Sequence, residues 1–196
     1  KLYGRVDCNA RWEVDFQRPR EQVWRYVCRH YAHAALTYGF DFMRGDMSHV
    51  QMRPAGVPAE PDARYDLLRT VKRRIQAQRP GFAYFAESFL APAGVMAYGD
   101  EVAHLEASEA EVTLGDLQST CVGSAEFVRR MRQYLDIASV RSFSPCFTIM
   151  TADKDDPRFD AFYLRGNAAR LFIGLLLDDM PSYMGLGFEV RDRHQE

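Results

Sequence analysis

Hydrophobic positions recur at helical spacing in four stretches of the chain, and each stretch predicts a helix. The first begins after Pro19 and ends near Gly39, the second closes at Pro80, and the third is capped by Ser124. The fourth is the strongly apolar segment 159–177. The apolar stripes of the first three helices are Val23, Tyr26, Val27, His30 and Ala34; Leu67, Leu68, Val71 and Ile75; and Phe127, Val128, Met131, Tyr134 and Leu135.

Short apolar runs between these helices predict five strands. The predicted strands are 40–43, 82–85, 112–117, 147–151 and 180–188. Segments 51–62 and 91–111 are predicted connections, and the acidic residues of the second are expected to form a solvated face. Those acids are Asp100, Glu101, Glu106, Glu109 and Glu111.

Strand and helix alternate about five times, which predicts an α/β fold with a parallel sheet and crossover helices outside it. Such a series forms either a doubly wound sheet or part of a (β/α)₈ barrel. No GxGxxG or GxxxxGK[ST] motif follows a predicted strand, so the second is favoured. We therefore expect a partial TIM (β/α)₈ barrel of about five parallel βα units, with residues 1–196 as a single domain.

Composition limits the classes of partner that are expected for this domain. The chain is 47% hydrophobic and 13% aromatic, which is typical of a globular protein, and its formal net charge is −2. Because the chain has no excess of positive charge, neither a nucleic acid nor an anionic membrane surface is expected as a partner. The four cysteines lack metal-ligand spacing and are interpreted as buried thiols. No cofactor is implied, no signal peptide or membrane span is visible, and the compartment stays open with the cytoplasm slightly favoured.

Three of the predicted strands, the first, second and fourth, end near a carboxylate: Asp46, Glu87 and Asp153. In (β/α)₈ barrels the chemistry lies at the carboxyl ends of the strands. A retaining glycosidase needs two carboxyl groups about 5–5.5 Å apart, one as nucleophile and one as acid and base. Arg44, two residues before Asp46, shares a strand face with it and could hold it ionised. Each acid taken alone could instead cap a helix, and His49 taken alone would be structural.

The segment Phe42-Met43-Arg44-Gly45-Asp46 resembles the Gly-x-Arg-x-Asp motif on the fourth barrel strand of the α-amylase superfamily, glycoside hydrolase family 13. Phe42 stands where glycine is usual. The resemblance implies that Asp46 is the nucleophile and that His49 contacts the sugar.

Three further segments follow in the same order. Phe85-Ala86-Glu87 is similar to the fifth-strand motif that reads Gly-Glu, which implies that Glu87 is the general acid and base. Segment 148–153 resembles the seventh-strand motif ending Asn-His-Asp, with Ala152 in place of the histidine, and implies that Asp153 stabilises the transition state. Segment 180–189 is similar to the eighth-strand end, so the resemblance covers strands four to eight.

The resemblance implies a retaining α-glucan-active hydrolase or transglycosylase that forms a covalent glycosyl-aspartate intermediate. Its partner would be an α-glucan or oligosaccharide, with Arg44 orienting and Tyr98 and Trp12 as candidates for stacking on sugar rings or, alternatively, for the core. The missing barrel half predicts either a fragment of a longer protein or self-association. Two alternatives stay open: a catalytically degenerate carbohydrate-binding or regulatory protein, and a divalent cation bound among acidic residues 100–111.

Overall fold

A computed structural model of the protein describes part of the chain, and all structural statements below concern that part. The described residues are 2–5, 14–46, 48, 53, 55–91, 100–115, 117, 120, 123–146, 148–149, 169, 172–173, 175–176 and 182–183.

Helices and strands alternate through the middle of the chain, as the hydrophobic pattern predicts. In chain order the elements are β1 (Tyr3–Arg5), β2 (Val14–Pro19), α1 (Glu21–Tyr38), β3 (Phe42–Gly45), α2 (Leu67–Gln76), β4 (Ala83–Ala86), α3 (Glu101–Ala107), β5 (Val112–Thr113), α4 (Ala125–Val140), β6 (Ser144–Pro145), β7 (Thr148–Ile149) and β8 (Ser182–Tyr183).

The central sheet has four parallel strands in the order β3-β4-β5-β6. Neighbouring strands in space are therefore consecutive strands in the chain, with α2, α3 and α4 as the crossovers between them. Two smaller sheets accompany it: β1 pairs antiparallel with β2, and β7 pairs parallel with β8. The predicted α/β fold with a parallel sheet is confirmed at this level.

The helices that connect these strands contribute to one buried layer on a single face of the sheet. Tyr84 and Ala86 of β4 cluster with Leu105 of α3, and Leu68 of α2 and Ile137 of α4 pack against the same cluster. Helix α1 packs beside α2, where Trp24 and Cys28 join the apolar side of that helix. The opposite face of the sheet carries another, smaller cluster of Phe85, Leu114 and Cys146.

Three helix ends are capped by residues next to them in the chain, and two of these caps, Gly39 and Ser124, were predicted. The C-cap of α1 is Gly39 at φ 73°, a left-handed conformation that glycine adopts without a Cβ penalty. The Asp66 side chain caps α2 by accepting from Arg69 N at 2.7 Å. Ser124 Oγ caps α4 by accepting from Phe127 N at 3.1 Å. Because caps depend on short-range contacts, they are readable from the sequence.

The buried stripe of α1 differs from the predicted one. Its buried residues are Trp24, Cys28, Ala32 and Ala35, whereas Tyr26 of the predicted stripe is 68% exposed and His30 is also exposed. Aromatic residues occupy both sides of this helix, so the apolar pattern is ambiguous. The predicted stripe was therefore wrong at Tyr26 and His30, whereas Val27 packs half-buried against the core that contains Val71 and Ile75 of α2.

The prediction of a solvated acidic connection over 91–111 was also wrong. Its second part forms α3, and the first residue of that helix, Glu101, is fully buried. The Glu101 carboxylate accepts hydrogen bonds from Ser88 Oγ at 2.7 Å, Phe89 N at 2.9 Å and Ala91 N at 3.0 Å. Three donors compensate the loss of hydration, so this acid connects α3 to the segment that follows β4.

The predicted fourth and fifth strands need correction. The fourth strand of the central sheet is β6, which precedes the predicted segment 147–151, and the strand in that segment, β7, pairs instead with β8. The described residues of segment 159–177, namely 169, 172–173 and 175–176, are helical. Within the described part of the chain, no helix has the length and apolar character needed to cross a membrane.

Candidate active site

Asp46 and Glu87 lie beside each other because β3 and β4 are parallel neighbours in register. Gly45 pairs with Ala86 at the carboxyl ends of the two strands, so the next residue of each strand is one of the acids. Glu87 N donates to Gly45 O at 2.9 Å, which continues the ladder past the last paired residues. The two carboxylates predicted from motifs on different strands are thus brought to one edge of the sheet.

Arg44 joins the two carboxylates. Its Nη1 atom lies 3.0 Å from Asp46 Oδ1, and its Nη2 atom lies 3.3 Å from Glu87 Oε1. Asp46 is 75% exposed at its side chain, whereas Glu87 is only 14% exposed. The planar guanidinium therefore contacts one carboxylate that reaches solvent and another that is largely enclosed.

The three residues lie on the sheet face opposite the helices. Arg44 pairs in register with Phe85, and side chains alternate along a strand, so Arg44, Phe85 and Glu87 share one face. Phe85 packs there against Leu114 and Cys146. Burial in this apolar cluster raises the pKa of the Cys146 thiol to about 12. Glu87 therefore shares its face of the sheet with an apolar cluster, whereas Asp46 reaches solvent.

Gly45 gives this strand end the space it needs. A Cβ at Gly45 would lie 2.9 Å from Cε2 of the buried Tyr84 ring, 2.5 Å from Leu68 Cδ1 and 3.2 Å from Ser48 Oγ. A larger residue between Arg44 and Asp46 would push β3 away from the helix layer. The glycine therefore sets the position from which both neighbours reach the site.

Ser48 supports the same corner and was missed by the sequence analysis. It is buried, its Oγ donates to Gly45 O at 2.8 Å, and its N donates to Glu87 O at 3.1 Å. One residue thus fixes the backbone next to both acids. The available signal was a serine three residues after a glycine, a spacing typical of side chain to backbone turns.

The structure brings Arg44, Asp46 and Glu87 together. The other predicted site residues, which are His49, Tyr98, Asp153 and Trp12, lie outside the described residues. Asp153 follows β7, the strand that pairs with β8.

A second polar cluster lies buried on the helix side of the sheet and was not predicted. The Tyr65 hydroxyl lies 2.8 Å from His104 Nδ1, and His104 Nε2 lies 3.8 Å from Asp66 Oδ2. Burial raises the pKa of Asp66 to about 7, against the opposing effect of the backbone N–H groups at the start of α2. The guanidinium of Arg53 stands 5.0 Å above the Tyr65 ring. This cluster joins α2 to α3 behind the candidate site.

The acids of segment 100–111 have structural partners. Glu109 bonds to Arg69 and Arg73, Glu111 pairs with Lys72, and Asp100 caps α3. Among the described residues, no group of three or more histidine, cysteine, aspartate or glutamate side chains is arranged to hold a metal ion. The structure therefore gives no support to a divalent cation at this segment, within the part that it describes.

Comparison with known proteins adds no assignment. No protein-family model matches the chain, and no curated protein matches it either. The functional interpretation therefore depends on the residues and on their geometry.

Proposed function

We propose that this protein is a retaining α-glucan-active glycoside hydrolase or transglycosylase that works through a covalent glycosyl-aspartate intermediate. The observation that supports the proposal is the contact of one arginine, Arg44, with two carboxylates at the carboxyl ends of adjacent parallel strands. Retaining glycosidases need two neighbouring carboxyl groups with different protonation states.

The two acids differ in exposure, and their proposed roles follow this difference. Asp46 is the more exposed, so its oxygen can reach the anomeric carbon of a bound sugar and displace the leaving oxygen. Glu87 is the more enclosed, a setting that favours a carboxyl able to carry a proton. Glu87 protonates the leaving oxygen and then removes a proton from the incoming water or sugar hydroxyl, which releases the sugar from Asp46.

The remaining predicted residues complete the proposed mechanism. Arg44 holds Asp46 as a carboxylate and orients it, and Asp153 stabilises the positive charge that develops on the sugar. His49 and Tyr98 contact the substrate.

A (β/α)₈ barrel is the proposed frame for this site. In the described sheet, consecutive strands are neighbours, and the connecting helices pack on one face. A doubly wound sheet reverses its strand order and carries helices on both faces, whereas a barrel keeps chain order and surrounds its strands with helices. The four parallel strands would then be consecutive strands of the barrel wall, with Arg44 and Glu87 pointing to the barrel interior.

A second candidate is a carbohydrate-binding protein that has lost catalysis. The contact of Arg44 with Glu87 favours it, because a charged guanidinium stabilises the carboxylate form of Glu87, whereas a general acid must be protonated. Turnover therefore requires that the arginine contact with Glu87 weaken when substrate binds. In a binding protein the contact would persist.

Trapping the intermediate distinguishes the two candidates. The full-length protein would be incubated with 5-fluoro-α-glucosyl fluoride, and its peptides would be analysed by mass spectrometry. We expect a glycosyl adduct on Asp46, no adduct in Asp46→Asn, and an adduct at normal yield in Asp41→Asn. Asp41 is an exposed control, paired with Arg79.

Activity on maltooligosaccharides gives the second measurement. Asp46→Asn should lower the rate of glycosyl transfer by about 10³-fold or more, as expected for removal of a nucleophile. Glu87→Gln should impair maltooligosaccharides more than glucosyl fluoride, because fluoride leaves without a proton. Unchanged turnover in Asp46→Asn would refute the assignment. Saturable binding of maltooligosaccharides without any turnover by the full-length protein would favour the second candidate.

A further inference from the structure

A cleft on the helix layer, between α1 and α2, has a volume of about 650 Å³ and an unusual charge. Arg25 and Arg29 of α1 and Arg74 of α2 line it, together with His30 and His33. None of the described residues that line the cleft carries a carboxylate. The cleft is therefore a concave surface with three positive charges and no internal counter-charge.

Among the described residues, the local distribution of acids explains why these arginines lack ion-pair partners. Glu21 is the single acid of α1, and it pairs with Arg64. Helix α2 contains no acid, and its other basic residues pair with the acids that follow α3: Arg69 and Arg73 with Glu109, and Lys72 with Glu111. Across the described residues, Arg25, Arg29 and Arg74 have no ion pair with a carboxylate, while most other arginines do.

The spacing of the arginines concentrates their charge. Arg25 and Arg29 are four residues apart and therefore lie on one side of α1, where like charges repel. Arg74 reaches the same cleft from the neighbouring helix. Three guanidinium groups directed to one cleft suit a ligand with several anionic oxygens, because each group can donate paired hydrogen bonds to a phosphate.

An aromatic pair adds a flat surface beside the charges. The rings of Tyr26 and His30 stack with centroids 5.9 Å apart and an interplanar angle of 10°. Tyr26 is 68% exposed. Such a surface can contact the ring of an organic group that carries the phosphate.

We propose that this cleft binds a phosphorylated small molecule, with Arg25, Arg29 and Arg74 contacting the phosphate oxygens and the Tyr26–His30 pair contacting its ring. The cleft lies on the helix layer, and the Arg44 site lies on the opposite face of the sheet. The ligand therefore binds away from the carboxylates, and binding does not depend on the proposed glycosidase activity. The phosphate could belong to a nucleotide or to a sugar phosphate, which share this chemistry.

The test is isothermal titration calorimetry of the full chain with ADP, glucose 1-phosphate and pyrophosphate, each up to about 1 mM. We expect at least one of the two organic phosphates to bind more tightly than pyrophosphate, and the tighter of the two identifies the source. Binding should weaken as salt is raised, because the contacts are ionic.

Substitution of the cleft arginines tests whether the ligand binds in the cleft. The double variant Arg25→Gln/Arg29→Gln and the single variant Arg74→Gln should each weaken binding by about tenfold or more. Arg132→Gln, an exposed residue of α4 outside the cleft, is the matched control and should bind as the unmodified protein does. Circular dichroism would verify that the variants keep their helices.

Two results would overturn the proposal. One is the absence of binding by all three phosphates. The other is equal affinity in the double variant and in Arg132→Gln. Tighter binding of pyrophosphate than of both organic phosphates would overturn the role of the Tyr26–His30 pair.

Discussion

The guanidinium of Arg44 lies 3.3 Å from the carboxylate of Glu87 on the neighbouring strand, while it also contacts Asp46 on its own strand at 3.0 Å. Lysine keeps the charge but cannot present two N–H groups in fixed directions. We expect Arg44→Lys to lower the rate of glycosyl transfer by about 100-fold, with a change in unfolding free energy below about 1 kcal/mol.

The control for this variant is Arg18→Lys, which alters an arginine paired with Asp15 away from the site. Rates on maltooligosaccharides and urea unfolding curves would be measured for both variants. Equal rates in the two variants would show that the bridge has no catalytic role.

Gly45 is predicted to tolerate no side chain. In Gly45→Ala the methyl group would meet the buried ring of Tyr84 at 2.9 Å; the nearby end of Leu68 can rotate away, but the ring cannot. We expect a loss of about 1–3 kcal/mol in unfolding free energy, as in other overpacked cores. Gly81 is the matched control, since no atom lies within 4 Å of a Cβ there. Urea unfolding should place Gly81→Ala within about 0.5 kcal/mol of the unmodified protein, and equal losses would contradict the prediction.

Asp66 should make stability depend on pH. Burial raises its pKa to about 7 in the folded protein, whereas an unfolded aspartate has a pKa of about 3.9. The folded state thus holds the proton more tightly, so its contribution to stability is complete below about pH 4 and is lost as the pH rises to about 7. Asparagine retains N-cap ability without this titration.

We therefore expect the stability of Asp66→Asn, relative to the unmodified protein, to rise by about 2–4 kcal/mol between pH 4 and pH 8. Urea unfolding at several pH values measures the difference. Asp136→Asn, at an exposed position of α4, is the control and should show no such trend. Parallel pH profiles for Asp66→Asn and the unmodified protein would refute the prediction.

Two cysteines should resist alkylation in the folded protein. Cys28 and Cys146 are buried thiols, and burial raises the pKa of both, that of Cys146 to about 12. Since the thiolate is the reactive form, iodoacetamide at pH 8 should modify Cys146 at least about 100-fold more slowly than in the urea-unfolded chain. Peptide mapping over time measures both rates. Equal rates in the folded and unfolded chains would contradict the burial of this thiol.

Local features of the fold were readable from the sequence because they depend on neighbours in the chain. The end of α1 at Gly39, the start of α4 at Ser124 and the alternation of helix with strand all arise from short-range contacts. The placement of Arg44 beside Asp46 follows from the two-residue period of a strand. These features were predicted, and the described structure contains them.

The sequence did not indicate which face of α1 is buried, or which acidic residue of segment 91–111 is buried. The apolar and aromatic residues of α1 surround the helix, so the buried side depends on its contact with α2. Glu101 resembled its acidic neighbours in the sequence, yet three donors from the segment that follows β4 compensate its burial. The buried side of α1 depends on α2, which is distant along the chain. The burial of Glu101 depends on three donors that come together only in the folded structure.

The sequence by itself predicted the parallel α/β arrangement and indicated Arg44, Asp46 and Glu87 as candidate site residues. Tertiary structure decided that β3 and β4 are neighbours in a register that places Glu87 next to Gly45, and hence that one guanidinium reaches both acids. The physical reason is that strand register is set by hydrogen bonds and packing between segments about forty residues apart, which local hydrophobic patterns do not encode.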